Sequence, residues 1–309
     1  RDQEEAVQRL RIGRRMARNE PVRPVSHERA RKDAALVDVG GGDRSPLGQE
    51  DDETRQDRSG RDDQVCEASL TCVTNPRVAH GDETRYAVVS CHVERPLDDA
   101  VWARFSRLHE RAPGGFRVAA LMRPPDQAGG ENETTWVARA REAASRGPFG
   151  LHTHWTSPSH ARPTPGGEEP AVRVRREVAW LRAQGLQPTL FAGGGWYMDD
   201  DVAEALAELG LVDCTGTAFK PAYLPPDAPR LGAEQPTILE LPAGGRLMEV
   251  PATHSLGMLA RAVVGPLPPV VHAYFHDTDL LDRKRALALE LGLRALRLRR
   301  RPGRFAEAP

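Results

Sequence analysis

Every Phe, Trp and Tyr of this 309-residue chain lies at or beyond Tyr86. The preceding stretch has few apolar residues and dense charge of both signs, as in QEDDETRQDRSGRDDQ. Such a segment cannot bury enough apolar surface to offset the entropy of ordering it. Residues 1–85 are therefore expected to be disordered, apart from a short basic helix over EEAVQRLRIGRRMAR. Folding is expected in residues 86–309, roughly the size of one α/β barrel or one doubly wound sheet.

Within that part, short apolar runs alternate with helical stripes. YAVVSC (86–91), FRVAALM (116–122), FGLHTHW (149–155), PTLFAG (188–193), LVDCT (211–215) and PVVHAYF (269–275) read as buried strands. TILEL (237–241) and RLMEV (246–250) read as a hairpin around AGG or as separate strands. Between them, Asp98 or Asp99 can cap a helix to about Glu110, and Asn132 one to Arg146. Val174, Val178 and Leu181 form a stripe, and Val202, Leu206 and Leu209 another, stopped by Gly210. A final helix is expected from Asp279 to about Arg299. Strands alternating with helices of this length imply a parallel sheet. Gly193-Gly194-Gly195 reads as a tight turn after the fourth strand, because no phosphate-binding glycine pattern accompanies it.

Composition excludes several classes. The net charge of -1 does not suit a nucleic-acid binder, and the basic run RALRLRRRPGR reads as a solvated helix end. Arginine outnumbers the three lysines, Lys32, Lys220 and Lys284, as in a GC-rich coding bias. Cys66, Cys72, Cys91 and Cys214 show no paired spacing, so reduced thiols are expected. No apolar run approaches the length of a membrane span, and no export signal is visible. A cytoplasmic protein is expected.

Chemistry in parallel βα folds gathers at the C-terminal ends of strands. His92 and Glu94 follow the first strand, His152, His154 and His160 the third, His254 the strand at 246–250, and His276 and Asp277 the last. Alternation puts His152 and His154 on one face of their strand, an arrangement that suits zinc or a similar divalent ion, with Glu94 as a further ligand. His276 and Asp277 stand where general acid–base groups would, although Asp277 or Thr278 also suits a helix cap. His109, late in a helix, is read as solvent-facing, and His272 as a satisfied interior histidine. Trp155, Trp196 and Tyr197 could stack on a sugar ring or serve as core or lid residues.

In order, these residues resemble the polysaccharide deacetylase family, the NodB-homology carbohydrate esterases, over about Tyr86 to Arg301. VVSCHVERP stands where the family has its acidic pair, with His92 and Glu94 in the two positions. GLHT matches its histidine motif through His152, with His154 or His160 as the second histidine. FAGGGW stands where the family has an arginine, here Ala192, and VVHAYFHDTDLL matches the closing motif through His276. The resemblance implies a distorted (β/α)7-type barrel. It implies a divalent metal, zinc or similar, held by Glu94, His152 and one of His154 and His160. It also implies removal of an acetyl group from an N-acetylated sugar or glycan precursor, with His276 protonating the leaving amine. His92 occupies the place of the carboxylate that would take the water's proton. Two other functions are open: a catalytically silent glycan- or partner-binding relative, and a metal-dependent hydrolase of another non-peptide C–N bond.

Overall fold

A computed structural model describes residues 85–221, 224, 230–259 and 264–307. The expectations of disorder and of a basic helix before residue 85 lie outside the described residues. The chain runs β1 (Tyr86–Val93), α1 (Asp99–Arg111), β2 (Ala119–Met122), α2 (Glu133–Arg146), β3 (Phe149–Thr153), α3 (Pro170–Ala183), β4 (Leu190–Gly193), α4 (Asp200–Leu209) and β5 (Val212–Asp213). It continues through β6 (Thr237–Glu240), β7 (Arg246–Glu249), β8 (His254–Ser255), α5 (Leu256–Leu259), β9 (Val270–His276), α6 (Arg283–Arg297) and β10 (Arg301–Pro302).

The helices begin where side chains can satisfy their free amides. Asp98 accepts from Ala100 N and Val101 N, Asn132 from Thr135 N, and Asp199 from Val202 N. The final helix starts later than expected. A 3-10 turn occupies Asp277–Leu281, and Asp282 caps α6 by accepting from Lys284 N and Arg285 N. Asp277 has other partners, described below.

One sheet has the order β6-β7-β5-β4-β3-β2-β1-β9-β8, with β10 added to β1. Its pairings are parallel except β6 with β7, which form a hairpin. The segment after β7 curls the sheet. Val250 N donates to Asp213 O and Ala252 N to Gly216 O, both at 2.8 Å, on the β5 side. Thr253 N then donates to His272 O at 2.9 Å, on the β9 side.

Strand alternation divides the core between the two faces. Val89, Cys91, Met122, Leu151, Phe191 and Phe275 meet the helices on the outer face. Val88, Leu121, Leu190, Val250 and Val270 pack on the inner face. The same alternation sends His92, His152, His272 and His276 inward; His272 is level with Val88 in that apolar floor, and His276 is level with His92 nearer the strand ends. Gly150 belongs to the inner row, and a Cβ there would stand 2.4 Å from Leu190 O.

His109 is buried, not solvent-facing, with its ring 5.1 Å from that of Phe105. Burial pushes its pKa down to about 4. His272 is a satisfied interior histidine, with Nδ1 2.9 Å from Val250 O and Nε2 2.8 Å from Ser90 Oγ. Among the described residues, no helix is long and apolar enough to cross a membrane.

Candidate metal centre

Three side chains converge at the strand ends on the inner face: Glu94 just past β1, His152 near the end of β3, and His154 just past β3. His152 Nε2 lies 3.3 Å from His154 Nε2 and 3.5 Å from Glu94 Oε1. His154 Nε2 lies 3.4 Å from the same oxygen. The two imidazoles are buried, with side-chain exposures of 3% and 5%, whereas Glu94 at 30% marks the open side.

The tautomers follow from the carbonyls behind the rings. His152 Nδ1 stands 3.0 Å from Ala192 O, and His154 Nδ1 stands 2.8 Å from Pro158 O. A carbonyl only accepts, so each Nδ1 carries a proton, and the neutral form of each ring presents an Nε2 lone pair to the cluster. Burial lowers the pKa of His152 and keeps it neutral, although Glu94 pulls the other way.

Two lone pairs and a carboxylate oxygen therefore face one another with no donor between them. Metal–ligand bonds of about 2.0–2.1 Å set tetrahedral donor–donor edges of roughly 3.3–3.4 Å, close to the spacings seen here. The two-nitrogen, one-oxygen donor set suits zinc or a similar divalent ion.

His160 is not brought to this cluster. It is exposed, and its backbone closes a turn on Ser157, with His160 N donating to Ser157 O at 3.0 Å. That turn also presents Pro158 O to His154. His276 stands at the mouth, its side chain 35% exposed and its Nε2 3.7 Å from Glu94 Oε1. His254 lies outside the cluster, with Nδ1 2.9 Å from Thr253 Oγ1.

Two residues expected to do acid–base work are placed differently. His92 is buried and stacked on His152, with ring centroids 4.4 Å apart and an interplanar angle of 27°. Burial, with His152 and His276 nearby, pushes its pKa well below the ordinary value. A proton taken up there would be buried between the rings of His152 and His276. Asp277 is fully buried, and its oxygens accept from Arg95 N and Thr278 N, each at 2.8 Å. Burial raises its pKa to about 6. It braces the loop that carries Glu94.

The aromatic residues offer little to a sugar. Trp155 is buried, donates Nε1–H to Gly194 O at 3.1 Å and packs near Phe191 and Tyr197. Trp196 is buried against His92 and Tyr274, at a positive φ of 58°. Tyr197 is half-buried and donates its hydroxyl proton to Asp199. Trp155 and Trp196 thus have no open ring face. A cavity of about 380 Å³ instead lies beside His154, lined by Arg123, Gln127, Ser157, Arg173, Glu177 and Trp180 among others.

Sequence reasoning missed two supports. Arg123 donates Nε–H to Glu94 O at 2.9 Å and pairs in a fork with Glu131 at 3.0 and 2.8 Å. Gly194 lets β4 approach the site, because a Cβ there would lie 2.6 Å from Thr153 O and 3.1 Å from His154 Cδ2. The charged run RPPDQAGGE gave no sign of the first. The triple glycine was the visible signal for the second.

No protein-family model and no curated protein matches the chain. Several solved structures are similar to it at low identity. A 4-α-glucanotransferase from Thermococcus litoralis is 12% identical with a TM-score of 0.46, over 72% of this chain and 38% of its own length. This chain thus spans well under half of that protein. A protein provisionally described as a polysaccharide deacetylase involved in O-antigen biosynthesis, from Bordetella bronchiseptica, is 14% identical with a TM-score of 0.37, over 70% of this chain and 85% of its own. Tryptophan synthase from M. tuberculosis is 12% identical with a TM-score of 0.38, over 72% and 95%. Likenesses this distant fix neither family nor activity.

Proposed function

We propose that this chain is a metal-dependent hydrolase that removes an acyl group from an amide nitrogen, with an N-acetylated sugar or glycan precursor as its substrate. The observation that carries this reading is the convergence of Glu94 Oε1, His152 Nε2 and His154 Nε2 at 3.3–3.5 Å with no donor between them. Those three residues would hold zinc or a similar ion. Such an ion, when bound, polarises an acyl carbonyl and brings the pKa of a bound water towards about 7.

The chain's own residues account for the rest. His276, at the open mouth, is placed to give a proton to the leaving nitrogen as the C–N bond breaks and the new C–O bond forms. His92 walls off the buried side of His152. Asp277 and Arg123 hold the Glu94 loop from two directions. The cavity beside His154 offers polar groups to a hydroxyl-rich substrate. The closest architecture is the distorted (β/α)7-type barrel, with β1, β2, β3, β4, β5, the β7–β8 segment and β9 as its seven parallel elements.

A second reading has a specific observation behind it. Among the described residues, Glu94 is the one carboxylate in the candidate metal group, and the neighbouring carboxylates Glu177 and Asp277 are buried and already accept hydrogen bonds from Thr153 and Arg173 and from two backbone amides. A catalytically silent protein that binds a metal and a glycan would look the same.

Metal content and acetate release from N-acetylated amino-sugar oligomers, measured on the full chain and on His152→Ala, test both. One ion per chain with acetate release, both lost in the variant, supports the hydrolase. A bound ion with no acetate release supports the silent reading or an enzyme for another C–N bond. A folded wild-type chain that takes up no metal sinks the metal site itself.

A further inference from the structure

A second buried polar cluster lies behind the candidate metal centre, on β5 and β7. Asp213 and Glu249 are register partners and both fully buried. Thr215, also buried, donates its hydroxyl proton to Asp213 Oδ1 at 2.6 Å. Thr215 N donates to the same oxygen at 3.0 Å, and Gly216 N donates to Glu249 Oε1 at 3.0 Å. With both carboxyls ionised, Asp213 Oδ2 and Glu249 Oε2 would be buried without any donor. Burial raises both pKa values, and the Asp213 charge pushes Glu249 further up. One proton, kept on Glu249 and donated to Asp213, satisfies the pair.

The cluster reaches His152 through one peptide unit. Gly193 N donates to Thr215 Oγ1 at 2.8 Å. The carbonyl of that same peptide, Ala192 O, accepts from His152 Nδ1 at 3.0 Å. Because Thr215 Oγ1 accepts from Gly193, its own proton is free to go only to Asp213, which fixes the direction of every bond in the chain.

We propose that Asp213, Thr215 and the Ala192–Gly193 peptide form a relay that holds His152 as its Nδ1–H tautomer and keeps Nε2 a lone-pair donor. The inference rests on the reading of His152 as a metal ligand. Hydrogen bonds in series polarise one another. An amide whose N–H is drawn towards a carboxylate through a hydroxyl has a more negative carbonyl oxygen, and so is a stronger acceptor for His152. Metal-binding histidines depend on such partners at the far ring nitrogen. Here the carboxylate acts at one remove, through backbone, and Asp213 and Thr215 are positioning residues.

The test uses the full chain, metal-free, with the ring ¹⁵N shifts of His152 read by long-range proton–nitrogen correlation, followed by Zn²⁺ titration. Thr215→Val keeps the shape and removes the hydroxyl, and Thr215→Ser restores it. Wild type and Thr215→Ser are expected to show one Nδ1–H tautomer. Thr215→Val is expected to show a mixture and to bind Zn²⁺ about tenfold or more weakly. A folded Thr215→Val with His152 still wholly in the Nδ1–H form overturns the relay. So does a mixed tautomer in the wild type, which is readable even if the variant fails to fold. If the wild type shows the Nδ1–H form and the variant a mixture, but neither binds Zn²⁺, the metal reading fails and the relay stands.

Discussion

His154→Ala and His160→Ala separate the two histidines that the sequence left as rivals. His154 contributes one of three donors spaced 3.3–3.5 Å apart, whereas His160 is exposed and joined to its turn through backbone atoms. Structural zinc binding is worth about 10–16 kcal/mol over four ligands, or roughly 2.5–4 kcal/mol each. At about 1.4 kcal/mol per decade, losing His154 should weaken Zn²⁺ binding by roughly 10²–10³-fold. Losing His160 should change it by no more than about 0.5 kcal/mol, the range of an ordinary surface substitution. Neither change touches the apolar core, so both variants should fold. Competition against a chromophoric chelator gives the two affinities directly. Equal losses, or a larger loss in His160→Ala, would mean that the donor set is wrong and that the 156–160 turn folds over the site.

Two further outcomes follow from packing and burial. Gly194→Ala places a Cβ 2.6 Å from Thr153 O and 3.1 Å from His154 Cδ2. It should cost about 1–3 kcal/mol of stability by overpacking and weaken Zn²⁺ binding although all three donors remain; an unchanged affinity in titration would show that Gly194 does not seat His154. His109 has its pKa lowered to about 4 by burial, so the unfolded chain takes up this proton first as pH falls below about 6.5. Its contribution to stability is therefore lost from about pH 6.5 down to about pH 4. His109→Leu should gain about 2–3 kcal/mol on wild type between pH 7 and pH 4.5, read by urea unfolding at both, and a constant difference would refute it.

Much of the fold was legible because its signals are local. Asp98, Asn132 and Gly210 mark helix ends by their own chemistry, and strand alternation put His152 and His154 on one face. The misread positions depend on distant partners or on ring direction. Trp102, Phe105 and His109 share a helical stripe at i, i+3 and i+7, and following that stripe rather than the polar side chain would have buried His109. At Asp277 the sequence shows the neighbouring His276 but not the amide of Arg95, 182 residues away, from which its oxygen accepts. Trp155 and Trp196 were correctly near strand ends, yet position along a strand does not say which way a ring turns. At Trp196 the positive φ turns it beneath the site. The choice between His154 and His160 was open because only the folded turn shows which ring Pro158 O can hold.

The metal-free site has an unfavourable feature that leads to one more expectation. Lone pairs on His152 Nε2, His154 Nε2 and Glu94 Oε1 face one another where both imidazoles are buried, and like partial charges there repel more strongly than in water. The fold supports this arrangement from β4, from the 157–160 turn, and from Asp277 and Arg123 behind Glu94. A cation that binds the folded site and not the unfolded chain returns that free energy as stability. At a free Zn²⁺ concentration of 100 times Kd the gain is about 2.7 kcal/mol. For a folded region of this size, about 2–4 °C per kcal/mol gives a rise in Tm of roughly 5–11 °C. Ca²⁺ and Mg²⁺, which favour oxygen donors, should give little. A calorimetric scan of the full chain with and without each ion checks this, with His152→Ala and His154→Ala alongside. An equal Zn²⁺ shift in both variants would place the stabilising ion elsewhere in the chain, and no shift in the wild type would show that the three lone pairs are held for some purpose other than a metal.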